Sequence, residues 1–457
     1  MSQQYLDKAK PCIQKHSEII NALRHINAFD IKSLSMHVSS SWPTVKAAVE
    51  DLKESNIILS NDDEKKYLIN PEVGYFLGIA IGATETKLSI IDFTFKPVDL
   101  YKDTRFKKLI DLILSCYPAK EKKDCLCFDT KLDYSEIYTF CTQIIEFFLD
   151  FFSNEETDLN LISIGISLPG IIDKNTKEMT FCPNIPSLVG LPIDKIISSE
   201  TKEKLAFLKI PFNVYRDAIA ATVGEKEMLY NFSETKKIYK DKQNLAVIYL
   251  GYGMGSGYIF NNRLILGASG AVGEIGHIDV GVDIKALADK RQDESYLDSA
   301  ETNIVEKDDE NGCACQNKFC LEHLIRTFVF NSDSPNNYKT KTEIEGLKNF
   351  SKSCPHRYKI LTELLSKAIN TIVNMLNVDL IVLSGRILNG IPELRSDLEK
   401  MMNMVSLKAS SKYCNIVNGS ERLDIVAIGA AILSYYSFLD INEENQDLKI
   451  DWNTNIQ

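Results

Sequence analysis

From Gly74 onward the chain alternates short apolar runs with longer amphipathic ones, and this alternation restricts the fold more than any other feature. Tyr75 to Ile81 is apolar enough for a strand buried on both faces, Leu88 to Asp92 follows after a turn, and Leu161 to Ile166 leads into Pro169 and Gly170. Glu136 to Phe152 and Leu361 to Leu376 carry apolar residues at helical spacing, and the second runs straight into a strand at Asp379 to Leu383. Strands and helices recurring in this way predict a two-lobed α/β body. We divide it into a first lobe at 73–213, completed by a C-terminal helix at 425–440, and a second lobe at 214–424.

Residues 1–72 have a different pattern. Ile19, Ile20 and Leu23 share one helix face, and Ile31, Leu34 and Val38 share another. A third helix starts at a Ser40 or Ser41 cap with Pro43 in its first turn, repeats Val45, Ala48, Val49 and Leu52, and stops at Asn56. Ile57 to Leu59 and Tyr67 to Ile69 flank a polar turn. Three small helices and a two-stranded wing predict a winged helix-turn-helix, whose third helix would offer Trp42, Thr44, Lys46 and Lys53 to operator DNA. Charge tempers this reading: residues 1–70 hold nine Lys and Arg against nine Asp and Glu, and Asp62, Asp63 and Glu64 sit at the wing tip. A winged helix used for dimerisation or partner contact is the alternative.

At 457 residues with 44% hydrophobic side chains, a disulfide-stapled miniature and a disordered chain are both excluded. The net charge, 52 minus 63, is −11, so the field of the whole molecule repels phosphate and any DNA contact must be local. With no apolar signal core and no stretch of about 20 apolar residues, we expect a cytoplasmic protein with no membrane partner. Eleven scattered cysteines then serve as thiols or metal ligands. Two stretches read as surface insertions: 102–135, with Cys116, Cys125 and Cys127, and 283–310, with ten acids and four bases.

Four groups of residues carry chemistry. His277 with Cys313, Cys315 and Cys320 is a donor set suited to structural zinc, although 36 positions separate the imidazole from the first thiol. The run Gly251-Tyr-Gly-Met-Gly-Ser-Gly257 follows a strand-like Leu245 to Leu250, and its Gly253 and Gly255 let a backbone turn approach a phosphate; a ligand-free hairpin accounts for it equally well. Gly82-Ala-Thr84 is a second turn of this kind. Asp217 opens the small-residue run Ala218 to Glu225, where a carboxylate is either a general base or only a helix cap.

Together these segments resemble the ROK family of repressors, open reading frames and sugar kinases, in particular its branch of xylose and N-acetylglucosamine repressors. The signposts are Gly82-Ala-Thr84, Pro169-Gly170, Asp217 to Glu225, the glycine run, Gly270-Ala-Val-Gly-Glu-Ile-Gly-His277, Cys313 to Glu322, Leu383-Ser-Gly385 and Gly429-Ala-Ala431. The resemblance implies an actin-like, ribonuclease-H-like pair of lobes, a zinc site at His277 and the three cysteines, and a sugar cleft lined by Asp217, Glu274, His277 and Glu322. In family kinases the acid matching Asp217 takes the proton from the sugar hydroxyl that attacks ATP.

Departures from the family pattern choose between its two activities. Ala80 replaces the acid that opens the first phosphate turn, Ala83 its second glycine, and Tyr252 the threonine of the other turn. Phosphoryl transfer rests on positioning and charge neutralisation, so ATP and magnesium chemistry should suffer. Around the acid, Arg216 and Ile219 replace two asparagines. An arginine forks onto phosphate or carboxylate, which points to a phosphorylated or acidic sugar; the competing reading is that Arg216 pairs with Asp217 and closes the pocket. We therefore expect a sugar-responsive, dimeric or higher-oligomeric transcriptional regulator, more a repressor than an activator, with Asp217 a vestigial base. The alternatives are an active ATP-dependent, glucokinase-like enzyme with an appended domain, and a scaffold that reads neither sugar nor DNA.

Overall fold

Helices come first in the computed structural model, which describes residues 3–25, 30–61, 66–120, 125–154, 157–232, 242–251, 253–282, 287, 313–330 and 347–439. Helix α1 (Gln3–Lys15), with Pro11 inside it, is an addition to the three helices expected from sequence. Its buried Ala9 and Ile13, one turn apart, hold it in place despite the missing amide. α2 (Ser17–His25), α3 (Ile31–His37) and α4 (Trp42–Glu54) follow. Asp30 caps α3 and Ser41 caps α4, each accepting a backbone N–H from its helix's first turn. Asn56, at φ +53°, turns the chain out of α4 into β1 (Ile58–Asn61), which pairs antiparallel with β2 (Lys66–Ile69). The proposed wing tip at 62–65 lies outside the described residues.

The next segment builds a five-stranded sheet. β3 (Tyr75–Ile81) and β4 (Glu85–Asp92) form a hairpin, and α5 (Lys107–Cys116), β5 (Leu126–Asp129), α6 (Tyr134–Ser153) and β6 (Leu161–Leu168) follow. The small ribbon β7 (Ile171–Ile172) and β8 (Met179–Phe181), α7 (Ser199–Phe207), β9 (Phe212–Arg216) and α8 (Asp217–Phe232) complete the run. The sheet order is β5-β4-β3-β6-β9, antiparallel on the β4 side of β3 and parallel from β3 through β9. Here the structure corrects the reading of 102–135 as a surface insertion. Phe106, Leu109, Ile110, Ile113, Leu126 and Phe128 are all buried in the main apolar cluster, and β5 is an edge strand of the sheet. In α5 the exposed Lys107 and Lys108 precede an inner face of buried Leu109, Ile110 and Ile113, while 121–124 lie outside the described residues. Cys125 and Cys127 are buried and Cys116 is exposed.

The second sheet begins with β10 (Leu245–Leu250), β11 (Met254–Phe260) and β12 (Arg263–Ile265). After α9 (Leu321–Leu324) and α10 (Pro355–Leu376) come β13 (Leu380–Ser384), α11 (Leu394–Val405) and β14 (Asn415–Asn418). Its order is β12-β11-β10-β13-β14, again antiparallel in the hairpin and parallel beyond it. The last helix, α12 (Ile425–Leu439), returns to the first sheet. A Cβ at Gly78 or Gly165 would lie 1.9 Å from the carbonyl oxygen of Ala427 or Ala430, so glycine in β3 and β6 is what admits α12.

Two compact units result: 1–241 with 260–271 and 422–457, and 242–259 with 272–421. Residues 214–241, 260–271 and 422–424, given to the second lobe on sequence grounds, fall in the first unit, which also takes in the N-terminal 1–72. For α8 the reason is packing, because its small-residue run lies against α12, and a Cβ at Gly429 would stand 1.7 Å from Ala220 O. Among the described residues, no helix is long and apolar enough to cross a membrane.

Candidate metal centre and ligand-binding residues

The sharpest cluster lies in the second unit. Short helical turns at Ile275–His277 and at α9 are joined by a Leu321 N–H donating to Ile278 O at 3.0 Å and by a bridge between Asp279 and Cys320. These bonds close the long excursion between His277 and Cys313, of which 283–286 and 288–312 lie outside the described residues. The ligand atoms of His277, Cys313, Cys315 and Cys320 all fall within 4.8 Å of one another. His277 Nδ1 is 3.4 Å from Cys313 Sγ. Two donors on one tetrahedral zinc, with bonds of about 2.1 and 2.3 Å, would stand about 3.5 Å apart, so the set fits that ion. The other ring nitrogen, Nε2, faces Glu274 Oε2 at 3.6 Å, the kind of carboxylate partner that orients a metal-bound imidazole.

Charge within the cluster suits a cation. The Cys320 thiol, donating to Cys313, holds the Cys313 thiol far below its ordinary range, and His277 adds to the effect. Cys313 in turn pushes Cys320 up and raises His277. Protons are thus shared within one group, with the thiolate favoured at Cys313. Gln316, in the knuckle between the second and third thiols, sits at φ +60°, a left-handed conformation that costs a non-glycine residue.

Glu322, in the first turn of α9, points at the glycine run. Its Oε2 accepts the Met254 N–H at 2.7 Å, and a Cβ on Gly253 would come within 3.0 Å of the same oxygen. Burial raises the Glu322 carboxyl above the usual range. A side chain at position 253 would thus press on the Glu322 carboxylate. Gly255 belongs to β11, opposite Tyr249. Tyr252 lies outside the described residues.

The remaining ligand candidates belong to the first unit. Arg216 ends β9 and is 6% exposed; its Nη1 donates to Gly270 O at 2.8 Å, tying the strand to the start of the loop that later carries Glu274. Asp217 opens α8, and its Oδ1 accepts the Ala218 N–H at 2.7 Å. The Gly82-Ala-Thr84 turn is closed by Gly82 N–H donating to Glu85 O at 3.0 Å, and Thr130 N–H donates to Thr84 O at 3.1 Å. Ala80, 6% exposed, is paired with Lys87 across the hairpin, and Lys87 lies 3.7 Å from Glu85. The sequence reading had no signal for this ion pair beside the turn. The structure thus groups Glu274, His277, Glu322 and the three cysteines, and separately Arg216 with Asp217.

In the N-terminal segment, α4 buries Val45, Ala48, Val49 and Leu52. Trp42, Thr44, Lys46 and Lys53 occupy its exposed face. Trp42 is 48% exposed with Lys46 Nζ 5.4 Å over its ring, and Lys46 also reaches Glu50 at 3.8 Å.

Comparison with known proteins bears on this arrangement. The model of the ROK family matches residues 132–436. The xylose repressor of Caldicellulosiruptor bescii is 30% identical over 125 residues, 27% of each chain. The N-acetylglucosamine repressor of Escherichia coli O157:H7 is 24% identical over 286 residues, 60% of each chain. The chain thus spans from about a quarter to about three fifths of these curated relatives. Among solved structures, a ROK family transcriptional regulator described as a homologue of the E. coli MLC protein superposes with a TM-score of 0.61 at 17% identity, covering 93% of this chain and 97% of that one.

Proposed function

The chain belongs to the ROK family, and on that premise we propose that it is a sugar-responsive transcriptional repressor. Its N-terminal helices and ribbon act as a winged helix-turn-helix on operator DNA, and its α/β body binds a sugar or sugar phosphate and dimerises. The observation that carries the reading is α4, which is core on one face and offers Trp42, Thr44, Lys46 and Lys53 on the other, beside an antiparallel ribbon. Repressors among the similar proteins support it.

We assign the effector to Arg216, Asp217, Glu274, His277 and Glu322. Zinc would be held by His277, Cys313, Cys315 and Cys320 and would supply structural cross-linking only, fixing the start of α9, which bears Glu322. The buried Ala80, where a metal-linked carboxylate would be needed, argues against ATP turnover.

The test is a mobility-shift titration of the full chain on the DNA directly upstream of its own coding sequence, between 50 and 200 mM salt. D-xylose, N-acetylglucosamine and hexose 6-phosphates are added in turn, with calorimetry of each sugar alongside. Salt-sensitive retention released by one sugar is the expected result. No retention at any salt, or brisk sugar-dependent ATP hydrolysis in a coupled assay, overturns the reading.

A further inference from the structure

An arginine lies on the buried face of α2, one turn after Ile20, where the apolar pattern calls for another hydrophobic residue. Arg24 is 8% exposed. Its guanidinium carbon lies 3.9 Å from the ring centre of Tyr435, 4.0 Å from Phe95 and 5.0 Å from Phe93. Nε donates to Phe93 O at 3.0 Å and Nη1 to Asn21 Oδ1 at 2.9 Å, while the Tyr435 hydroxyl donates to that same Oδ1 at 3.3 Å. From α1, Gln14 Nε2 donates to Phe438 O at 3.2 Å, one turn beyond Tyr435 on α12, and Lys10 Nζ stands 4.7 Å from the Phe438 ring centre. Phe93 and Phe95 follow β4, and Tyr435 and Phe438 belong to α12. The first two helices therefore rest on the C-terminal helix through a cation in an aromatic cage.

Two features separate this contact from ordinary core. A guanidinium gives up much hydration when buried, and here its hydrogen bonds end on neutral oxygens; among the described residues, Nη2 is buried with no acceptor. Three ring faces offset part of that cost. The cage is also mechanically linked to a ligand candidate. α12 packs along α8 at the Gly429 and Ala220 backbones, α8 starts with Asp217, and ten residues further along α8 the buried Glu227 accepts a hydrogen bond from Tyr436 at 3.4 Å, next to the caging Tyr435.

We propose that Arg24 and its cage form a latch that docks the N-terminal helices on α12, and that α8 and α12 carry the state of the Asp217 end to it. The coupling rests on the repressor reading above. Docking by itself does not.

Two variants with opposite expected signs test the latch in the full-length protein. Arg24→Met keeps the bulk and removes the charge, so backbone hydrogen exchange across α1 to α4 accelerates at least tenfold while β3 and β6 keep their protection. Asn21→Asp gives the guanidinium a carboxylate, so exchange in the same helices slows. In the shift assay with D-xylose, N-acetylglucosamine or hexose 6-phosphate, Arg24→Met retains the calorimetric heat of sugar binding but loses the sugar-induced change in DNA affinity. Unchanged exchange in both variants overturns the latch. Faster exchange in Arg24→Met with a wild-type DNA response overturns the coupling. A wild-type protein that responds to none of these sugars overturns the repressor reading and the coupling with it, and the exchange result then decides docking alone.

Discussion

Single residues make the most direct claims. Gln316 occupies a left-handed turn inside the cysteine knuckle, a conformation that costs a non-glycine residue about 1–2 kcal/mol. Replacing it by glycine should recover about 1 kcal/mol in urea unfolding of the protein. Glu274 lies 3.6 Å from the ring nitrogen of His277 that faces away from the thiols. Partners of this kind typically tune metal affinity about 10- to 100-fold, so Glu274→Gln should weaken zinc by that factor in competition with a chromophoric chelator, with the three thiols intact. The four candidate donors were legible in the sequence because their side-chain chemistry is unusual and the three thiols fall within eight positions, whereas His277 lies 36 positions before the first of them. The closeness of Gly253 to the Glu322 carboxylate was not legible, because 68 positions separate Met254 from Glu322 and only the fold brings them together.

At the scale of elements, the amphipathic pattern decides which face is buried and the neighbours decide why. On α4 the buried stripe was predictable from its periodicity, and the exposed face follows by subtraction. Lys46→Ala and Lys53→Ala should each weaken DNA binding uniformly across sequences and reduce the slope of log affinity against log salt by about 1. Between α10 and α11, the Tyr358 hydroxyl donates to Asp397 at 2.7 Å. Lys400, and then Tyr358, hold the Asp397 carboxyl below the usual carboxylate range. A carboxyl so lowered stabilises the fold above its unfolded pKa, and that contribution is lost as pH falls through the lower folded value; below about pH 4 the tie therefore weakens. Asp397→Asn should flatten this acid limb of the stability profile. The 102–135 stretch shows where pattern reading fails: lysine density concealed an apolar face, and Phe106→Ala should cost about 3–5 kcal/mol, as expected of core and not of a surface loop.

For the molecule as a whole, a ligand that binds only the folded state stabilises it by about 2.7 kcal/mol at a hundredfold excess over its dissociation constant. The effector should therefore raise the thermal midpoint, whereas ATP with magnesium should leave it unmoved and coupled turnover should stay at background. The sequence alone carried the α/β texture, the candidate metal donors, the resemblance to the family and the alanine at position 80, because each is written in side-chain type and in the order of short motifs. Tertiary structure alone decided that α8 belongs with the first sheet, that 102–135 is core and that Arg24 is caged by residues near positions 93 and 435. Those outcomes depend on which surfaces meet once the chain has closed loops of tens to hundreds of residues, and such meetings leave no local mark on the segments involved.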